Sequence, residues 1–356
     1  MQQEQIFNEL LAEIEKNKIA KEQGKVTSVM FPFERLTTRF PGWERGHFYG
    51  ITAATSIGKT KLTKFLAVIS VYKFIKEHPE IDYKIMYFAL EESKDEFWLS
   101  MLSSLLYELH DISISLAELK SLGTYTLSND LFQKIKECKS YIDDMASKIE
   151  IIDHLYNNFG IYKHVHEWHL LNGREEFDTS SAEKVSKKYI PNNPNLWFFI
   201  IVDHLSLLSP EKGESLYETI GRFTKHYCLK HFVKKLKCVT IAVQQQDMTN
   251  DKIEYHQGQS IEEKLEPSIP GLANCKETAR DFHFIMALFS PHKYGISRHR
   301  GYDINQLKGK YVSLKILKDR HYGLANMYIP LYFNGATTYY EELPPKDLID
   351  YNKYTK

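Results

Sequence analysis

A strand that runs into a loop of the phosphate-binding type is the feature of this sequence that most restricts its fold. The mostly apolar segment His47–Ile51 leads into a turn-prone stretch and then into Gly58, Lys59 and Thr60, followed by a helix-like run at residues 61–69. Backbone N–H groups at the start of such a helix hold phosphates. The lysine reaches the β- and γ-phosphates, and the hydroxyl binds Mg²⁺. The pattern predicts an ATP and Mg²⁺ site on an α/β fold.

The loop departs from the G-x-x-x-x-G-K-[ST] pattern at one position, because Ala53 stands where the pattern has glycine. Alanine costs little there if its φ is negative, so we expect a variant of the site and not its loss. The expected nucleotide contacts are Ala53, Ser56, Gly58, Lys59 and Thr60. The alternative is an ordinary surface turn before a helix, since a G-K-T tripeptide also occurs by chance.

Composition sets wide limits. The 356 residues suffice for one large α/β domain with appendages or for two small domains. Hydrophobic content of 43% and charged content of 26% are ordinary for a soluble globular protein. The formal net charge is zero, so a nucleic-acid partner would have to bind a local patch, with modest affinity and a shallow dependence on salt.

The four cysteines and the chain start favour a cytoplasmic protein. The cysteines have neither metal-type nor paired spacing, which is typical of reduced thiols; they are Cys138, Cys228, Cys238 and Cys275. No apolar run is long enough to span a bilayer, and the polar N-terminus does not read as a signal peptide. We therefore expect no membrane partner.

Strand-like and helix-like segments alternate, which predicts a mostly parallel sheet with helices on both faces. We expect a main domain at residues 31–342, with a mostly helical region at 110–195 that includes a helical insertion at about 110–150 and one strand-like run at 149–153. Residues 1–30 hold a linker helix and a linker. The helix, at residues 5–23, would pack either on its own domain or on a neighbouring subunit. Residues 343–356 are predicted to form a peripheral tail.

Three predicted strands end in polar side chains, where an open α/β sheet binds its ligands. Asp203 ends an apolar run and is expected to support Mg²⁺; the alternative is a cap on the next turn. Glu91 follows another strand and could activate the attacking water, while Glu92 could cap the next helix. The third strand ends in a glutamine triplet, in which an amide could detect the γ-phosphate or simply face solvent.

With these residues in place, the chain resembles the RecA-like ATPase domain of the DnaB family of hexameric replicative helicases. Alanine is common in that family at the position of Ala53. The segments that end in Glu91, Asp203 and Gln245 resemble the strands that carry its catalytic glutamate, its Walker B aspartate and its sensor glutamine. The match covers roughly residues 30–342 as ordered motifs.

The resemblance implies further roles and partners. Lys318-Asp-Arg320 resembles the segment that supplies an arginine finger to a neighbouring subunit, so Lys318 and Arg320 are expected to be catalytic across an interface in a homo-hexamer. The other expected partners are single-stranded DNA and a primase or helicase loader. The family's N-terminal primase-interacting domain has no counterpart here, which suggests a phage or mobile-element version.

Two segments are candidates for binding DNA. The resemblance places a channel loop at residues 273–276, where Ala273, Asn274 and Lys276 would contact phosphates, partly through backbone N–H groups. Independently, residues 293–320 carry eight cations and two acids, six net positive charges, interleaved with Tyr294, Tyr302 and Tyr311. Such a segment suits a single strand; a solvated hairpin is the alternative.

Four clustered histidines, His154, His164, His166 and His169, lack the H-E-x-x-H spacing of a metal site, and we interpret them as structural. The function predicted from these observations is an ATP-driven helicase that moves along single-stranded DNA. The alternatives are a filament-forming recombinase or loader, and a regulatory ATP-binding adaptor of phage replication or defence.

Overall fold

The computed structural model describes residues 2–177, 186–247 and 265–355. Its strands are β1 Phe48–Ala53, β2 Asp82–Ala89, β3 Ile149–Ile152, β4 Gly173–Phe177, β5 Ser186–Pro191, β6 Leu196–Asp203, β7 Val239–Gln245, β8 Phe284–Phe289, β9 Arg298–His299, β10 Tyr302–Asp303, β11 Tyr311–Asp319, β12 Tyr328–Asn334 and β13 Tyr339–Glu342.

The helices are α1 Gln2–Glu22, α2 Glu34–Thr37, α3, α4 Lys94–His110, α5 Leu116–Leu119, α6 Asn129–Glu137, α7 Lys139–Lys148, α8 Asn158–Leu171, α9, α10 Thr278–Asp281, α11 Ile304–Leu307 and α12 Tyr351–Thr355. Helix α3 comprises Lys59–Lys64, a π-helical segment Phe65–Ile69, and Ser70–Glu77. Helix α9 comprises Leu216–Arg222 and a π-helical segment Phe223–Lys235.

One nine-stranded sheet organises the chain, in the order β13-β12-β11-β8-β1-β7-β6-β2-β3. The strands from β8 to β3 are parallel, and β11, β12 and β13 add an antiparallel edge. The predicted mostly parallel α/β sheet is thereby confirmed.

Side chains of the central strands alternate between two cores, one on each face of the sheet. In β2, Tyr87 belongs to the core beneath α3 and α4, whereas Phe88 belongs to the core beneath α8 and α9. In β6, Ile201 and Val202 divide in the same way. Burial on both faces explains why these strands read as continuous apolar runs.

The parallel register aligns the ends of four strands at one edge. Ala53 pairs with Gln245, and Ala89 pairs with Asp203. We call this the carboxyl edge of the sheet, and the opposite one the amino edge. The predicted functional residues that follow these strands therefore lie near one another.

Two predictions about the periphery are wrong. Residues 110–195 contain the hairpin β4–β5 as well as helices and β3. The tail is not merely peripheral, because Leu343 and Tyr354 are buried in a small core with Tyr302 and Tyr311. The stretch between β7 and α10 falls partly outside the described residues.

Helix α1 has an exposed apolar stripe, formed by Phe7, Leu10, Leu11, Ile14 and Ile19, whose side chains are 41–64% exposed. No helix in the described part of the chain has the length and apolar character needed to cross a membrane. All four cysteines are buried and free, as their spacing predicted.

Candidate nucleotide site

The phosphate loop begins where β1 ends at the carboxyl edge. Ala53, its last residue, is fully buried, and its carbonyl accepts a hydrogen bond of 2.9 Å from the N–H of Gln246. Ala53 is not among the residues of positive φ. Extended backbone accommodates alanine without strain, which explains why glycine is dispensable here.

The loop itself turns through two residues of positive φ, Ser56 at +62° and Gly58 at +105°. Gly58 has a second reason to be glycine, since a Cβ there would lie 2.9 Å from the hydroxyl of Tyr340 and 3.1 Å from the ring of Phe333. The Tyr340 hydroxyl donates to the Gly58 carbonyl at 3.1 Å. The last strands of the sheet therefore fix the position of this loop.

Lys59 opens α3 and is only 7% exposed. Burial lowers the pKa of its ammonium group, while the charges of Asp203 and Glu91 oppose that shift. A nearly buried cation at a helix N-terminus is favourable only next to negative charge. The arrangement thus suits an anion such as a triphosphate.

Asp203 ends β6 and is 2% exposed. Its Oδ2 accepts a hydrogen bond of 2.7 Å from the Tyr87 hydroxyl, whereas its buried Oδ1 has no hydrogen-bond partner among the described residues. Burial raises the pKa of this carboxyl group, and hydrogen bonds from Tyr87 and Thr60 oppose the shift. A buried oxygen without a partner is costly unless something binds it.

These observations fit a divalent cation. The Oδ1 of Asp203 offers a hard oxygen ligand, and Thr60 lies close enough to Asp203 for its hydroxyl to hydrogen-bond the carboxylate. Mg²⁺ prefers few carboxylates together with substrate phosphates and water. The two predicted ligands, Thr60 and Asp203, therefore come together as that chemistry requires.

The two glutamates after β2 have different surroundings. Glu92 pairs with the buried Lys64 of α3, with 2.6 Å between Oε2 and Nζ. Glu91 stays 59% exposed, and its nearest ionic contact is His204, at 3.5 Å. Because Glu92 is occupied by an ion pair, Glu91 is the glutamate free to hold a water molecule. The helix cap belongs to Ser93, not to Glu92.

His204 was not singled out from the sequence, yet it lies between two predicted site residues. Its Nε2 is 3.5 Å from Glu91 and 3.4 Å from the amide nitrogen of Gln245, and the residue is 4% exposed. Burial lowers the pKa of its imidazole. Its place directly after Asp203 was the only signal available in the sequence.

Gln245 ends β7 at the carboxyl edge, opposite Ala53, so it can face a bound phosphate. Its neighbours have other duties. Gln244 is buried and donates to the carbonyls of Ala273 and Cys275 at 2.7 and 2.9 Å. Gln246 donates to the Thr52 hydroxyl at 3.2 Å.

Lys318 and Arg320 lie at the amino edge, remote from the phosphate loop of their own chain. Asp319 pairs with Phe284, the first residue of β8, and the N–H of Arg320 donates to His283 at 3.2 Å. A strand of six residues separates the two edges by about 20 Å. Both side chains donate to carbonyls of α10. Burial, followed by the charge of Arg320, lowers the pKa of Lys318 to about 8.

The loop at residues 273–276 differs from the expected phosphate cradle. The N–H of Ala273 donates to Gln245, and the N–H of Cys275 donates to Ala273, at 2.9 and 2.8 Å. The Asn274 amide donates to the Ser206 hydroxyl at 2.7 Å. These two backbone N–H groups are therefore not available to phosphates, and Lys276, which is exposed, remains the cation of this loop.

The basic segment 293–320 is not a continuous cationic surface. Arg300 and Lys315 both pair with the buried Glu266, at 2.9 and 3.0 Å. Tyr302 and Tyr311 are buried, so they cannot stack on bases. The interpretation as a single-strand binding surface is wrong for these residues, because the fold uses them internally.

Lys293, from the same segment, is a site residue that the pattern did not identify as such. Its Nζ donates to the Thr55 carbonyl of the phosphate loop at 2.6 Å. Its charge helps to lower the pKa of Lys59. A second cation therefore stands beside the loop, and only the three-dimensional structure brings it there.

The histidines of α8 have structural contacts, as predicted. His169 is buried, and its Nδ1 lies 2.8 Å from the Val165 carbonyl. His164 contacts Glu150 at 2.8 Å. His166 stacks on Tyr162 with 5.4 Å between ring centroids.

Together, the sheet order and the carboxyl-edge site define a RecA-like α/β fold. No family model matches the sequence, and no curated protein matches it either. Solved structures do: the ATPase domain of a DnaB-like helicase is similar with a TM-score of 0.67 at 20% identity, covering 95% of this chain and 98% of that one.

A DnaB-like replicative helicase, whose structure was described with its interactions with primase, is similar with a TM-score of 0.65 at 19% identity. The match covers 95% of this chain and 67% of the helicase. The chain thus has the fold of a DnaB-like ATPase domain, and the fold inferred from the sequence motifs is confirmed.

Proposed function

We propose that this chain is an ATPase of the DnaB type, which hydrolyses ATP to move along single-stranded DNA and separate a duplex. The observation that carries the proposal is the division of the predicted machinery between two edges of one sheet. Lys59, Asp203, Glu91 and Gln245 meet at the carboxyl edge, and Arg320 lies at the amino edge.

At the carboxyl edge, Lys59 and the loop N–H groups bind the phosphates. Thr60 and Asp203 hold Mg²⁺, which when bound screens the phosphate charge and polarises the γ-phosphate. Glu91 accepts a proton from the attacking water. Gln245 donates its amide to the γ-phosphate, and His204 holds Glu91 and Gln245 side by side.

A subunit cannot complete its own site, since Arg320 is about one strand length from the phosphate loop. We infer that Arg320, with Lys318, enters the site of a neighbouring copy, where a cation stabilises the charge of the transition state. The contact joins different surfaces of the two copies and so generates a ring or a filament.

The stripe of α1 supports such an assembly. Apolar side chains left in water favour a partner surface. A cleft of about 550 Å³ between α3, α4 and α7 has an apolar lining that includes Ile69, Met101, Leu105 and Met145. We propose that α1 of one copy occupies this cleft in the next copy.

The decisive experiment pairs an ATPase assay with electron microscopy, using an ATP analogue and single-stranded DNA. Arg320→Ala should keep nucleotide binding and lose turnover by about 10³-fold or more, with Arg39→Ala, a surface arginine remote in sequence, as control. Closed rings and DNA-stimulated hydrolysis are expected. Filaments would favour a recombinase or loader, nucleotide binding without hydrolysis would favour an adaptor, and full activity of a monomer would refute the shared site.

A further inference from the structure

Helix α9 lies in a stretch of the sequence that contains no acid. Residues 219–246 include six cations and neither aspartate nor glutamate. The cations are Arg222, Lys225, Lys230, Lys234, Lys235 and Lys237. The motifs of the nucleotide site do not account for this imbalance.

Two of the six charges are neutralised. Arg222 pairs with Glu214 at 2.8 Å and with Glu211 at 2.9 Å. Lys235 pairs with Glu175 at 2.8 Å. The other four, which we call the lysine stripe, are Lys225, Lys230, Lys234 and Lys237. All four are exposed, and within residues 2–177, 186–247 and 265–355 none of them forms an ion pair.

The π-helical segment places the first three lysines on one side. In an α-helix, Lys225 and Lys234 would project about 180° apart. A π-helix has wider turns, with hydrogen bonds between residues five apart. The exposed positions recur after five and four residues, and the buried Cys228 and Phe232 lie between them. The stripe therefore depends on the π-helix.

The helix is held firmly against the sheet. Phe223, Cys228, Phe232 and Val233 lie in the core beneath it. On its flank, Tyr227 and His231 contact Tyr162 of α8, with ring centroids 5.2 and 4.6 Å apart. The lysines thus project from a fixed backbone, and their arrangement is set before any partner binds.

Nearby acids do not cancel the stripe. Asp281 accepts a hydrogen bond of 2.8 Å from Thr224, and Glu167 pairs with Lys163 of its own helix. Burial, together with the positive charge of Lys230 and Lys225, lowers the pKa of His226. The stripe therefore presents uncompensated positive charge.

We propose that the lysine stripe binds the phosphate backbone of a nucleic-acid strand, at a surface separate from the loop at residues 273–276. The inference rests on the proposed function as a DNA motor. The helix crosses the sheet from the carboxyl edge to the amino edge, where the Lys237 carbonyl accepts from Gly46. The stripe thus continues away from the loop that contains Lys276.

Its chemistry fits phosphates better than an acidic protein. The segment from Lys225 to Lys237 spans at most about 18 Å, which corresponds to about five phosphates of one strand. Lysines make point contacts with phosphates and do not distinguish bases. Protein interfaces are anchored by aromatic or arginine side chains, and the exposed positions of this helix carry only lysines and His226.

The charge gives the expected size of the effect. Each single-strand phosphate that is neutralised contributes about 0.7 to the slope of log K against log salt. Four lysines therefore contribute a slope of about 3, equivalent to about 50-fold in affinity between about 50 and 200 mM salt.

The test measures the affinity of the full chain for a fluorescein-labelled oligothymidylate by anisotropy over that salt range, with an ATP analogue present. One variant replaces the four stripe lysines by glutamine. The control replaces Lys16, Lys21, Lys136 and Lys139, exposed lysines of other helices, so that the net charge is equal. A lower slope, by about 3, is expected only for the stripe variant, with unstimulated ATPase unchanged in both.

Equal slopes in the two variants would overturn the proposal, as would displacement of the oligonucleotide from wild type but not from the stripe variant by an equal charge concentration of polyglutamate, which would assign the stripe to an acidic protein. Lys276→Gln separates the two sites. If it abolishes DNA-stimulated hydrolysis while the stripe variant keeps the wild-type slope, the motor stands and the stripe site falls. Absence of ATPase in wild type with an intact stripe effect would instead refute the motor and retain the stripe as a binding site.

Discussion

The ion pair between Lys64 and Glu92 allows a sharp test of how the nucleotide site is built. Lys64 is 2% exposed, its Nζ lies 2.6 Å from the Glu92 carboxylate, and it stands over the ring of Phe97 at 5.1 Å. At an effective dielectric of about 20 the attraction is about 6 kcal/mol, which offsets the burial of two charges. Lys64→Met keeps the volume and leaves Glu92 unpaired.

We expect this substitution to lower the free energy of unfolding by about 3–5 kcal/mol at neutral pH, because it leaves a buried charge without a partner. The loss must depend on pH. Burial already raises the pKa of Glu92 above 4.5, and Lys64 counteracts the shift. Without Lys64, the folded state holds the Glu92 proton more tightly. Stability is then lost as pH rises above 4.5, by about 1.4 kcal/mol per unit.

The measurement is urea unfolding at several pH values, without nucleotide. Lys64→Met with Glu92→Gln removes the stranded charge and should recover most of the loss. Lys18→Met is the exposed control, since the pair of Lys18 with Glu22 is 3.7 Å long and more than half exposed; it should cost less than about 0.5 kcal/mol. A deficit that is independent of pH, or no recovery in the double variant, would refute the reasoning.

Three further predictions concern individual residues. Gly58→Ala should cost about 1–3 kcal/mol and weaken nucleotide binding, because it adds a clash with Tyr340 to backbone strain; Gly213→Ala, with φ of +85° and open space around it, shows the strain alone in the same unfolding assay. Asp203→Asn should raise the unfolding free energy of the nucleotide-free chain by about 1 kcal/mol, because a buried charge is removed, and abolish the Mg²⁺ dependence of ATP binding in calorimetry. Burial lowers the pKa of His169 from 6.5 to about 4, so stability should fall as pH drops from 6.5 towards 4, by about 2 kcal/mol at about pH 5; His169→Gln should flatten that part of the profile, and an unchanged profile would contradict the assignment.

The sequence predicted those parts of the site that depend on local order along the chain. Each of β1, β2, β6 and β7 is an apolar run that stops at a polar residue, and parallel pairing then brings the four ends together. That logic placed Lys59, Asp203, Glu91 and Gln245 at one edge without knowledge of the sheet order. It also explained Ala53, whose place in the strand makes glycine unnecessary.

Residues whose role depends on distant contacts could not be found in this way. Lys293 reaches the phosphate loop across more than two hundred residues. Glu266 gathers Arg300 and Lys315 into the interior, so a segment that looked like a cationic surface became part of a core. The hairpin β4–β5 was missed because its residues are mostly polar and show no clear alternation.

The position of Arg320 at the far edge of the sheet from Lys59 has an arithmetical consequence. If each complete site takes one edge from each of two copies, a closed ring of n subunits has n complete sites, whereas an open row of n subunits has n − 1. Turnover per subunit would then rise with the length of a row and reach its full value at the moment of closure. A single copy of Arg320→Ala in a ring would remove one site and leave its own phosphate loop intact, so the number of working sites reports directly on the geometry of the assembly.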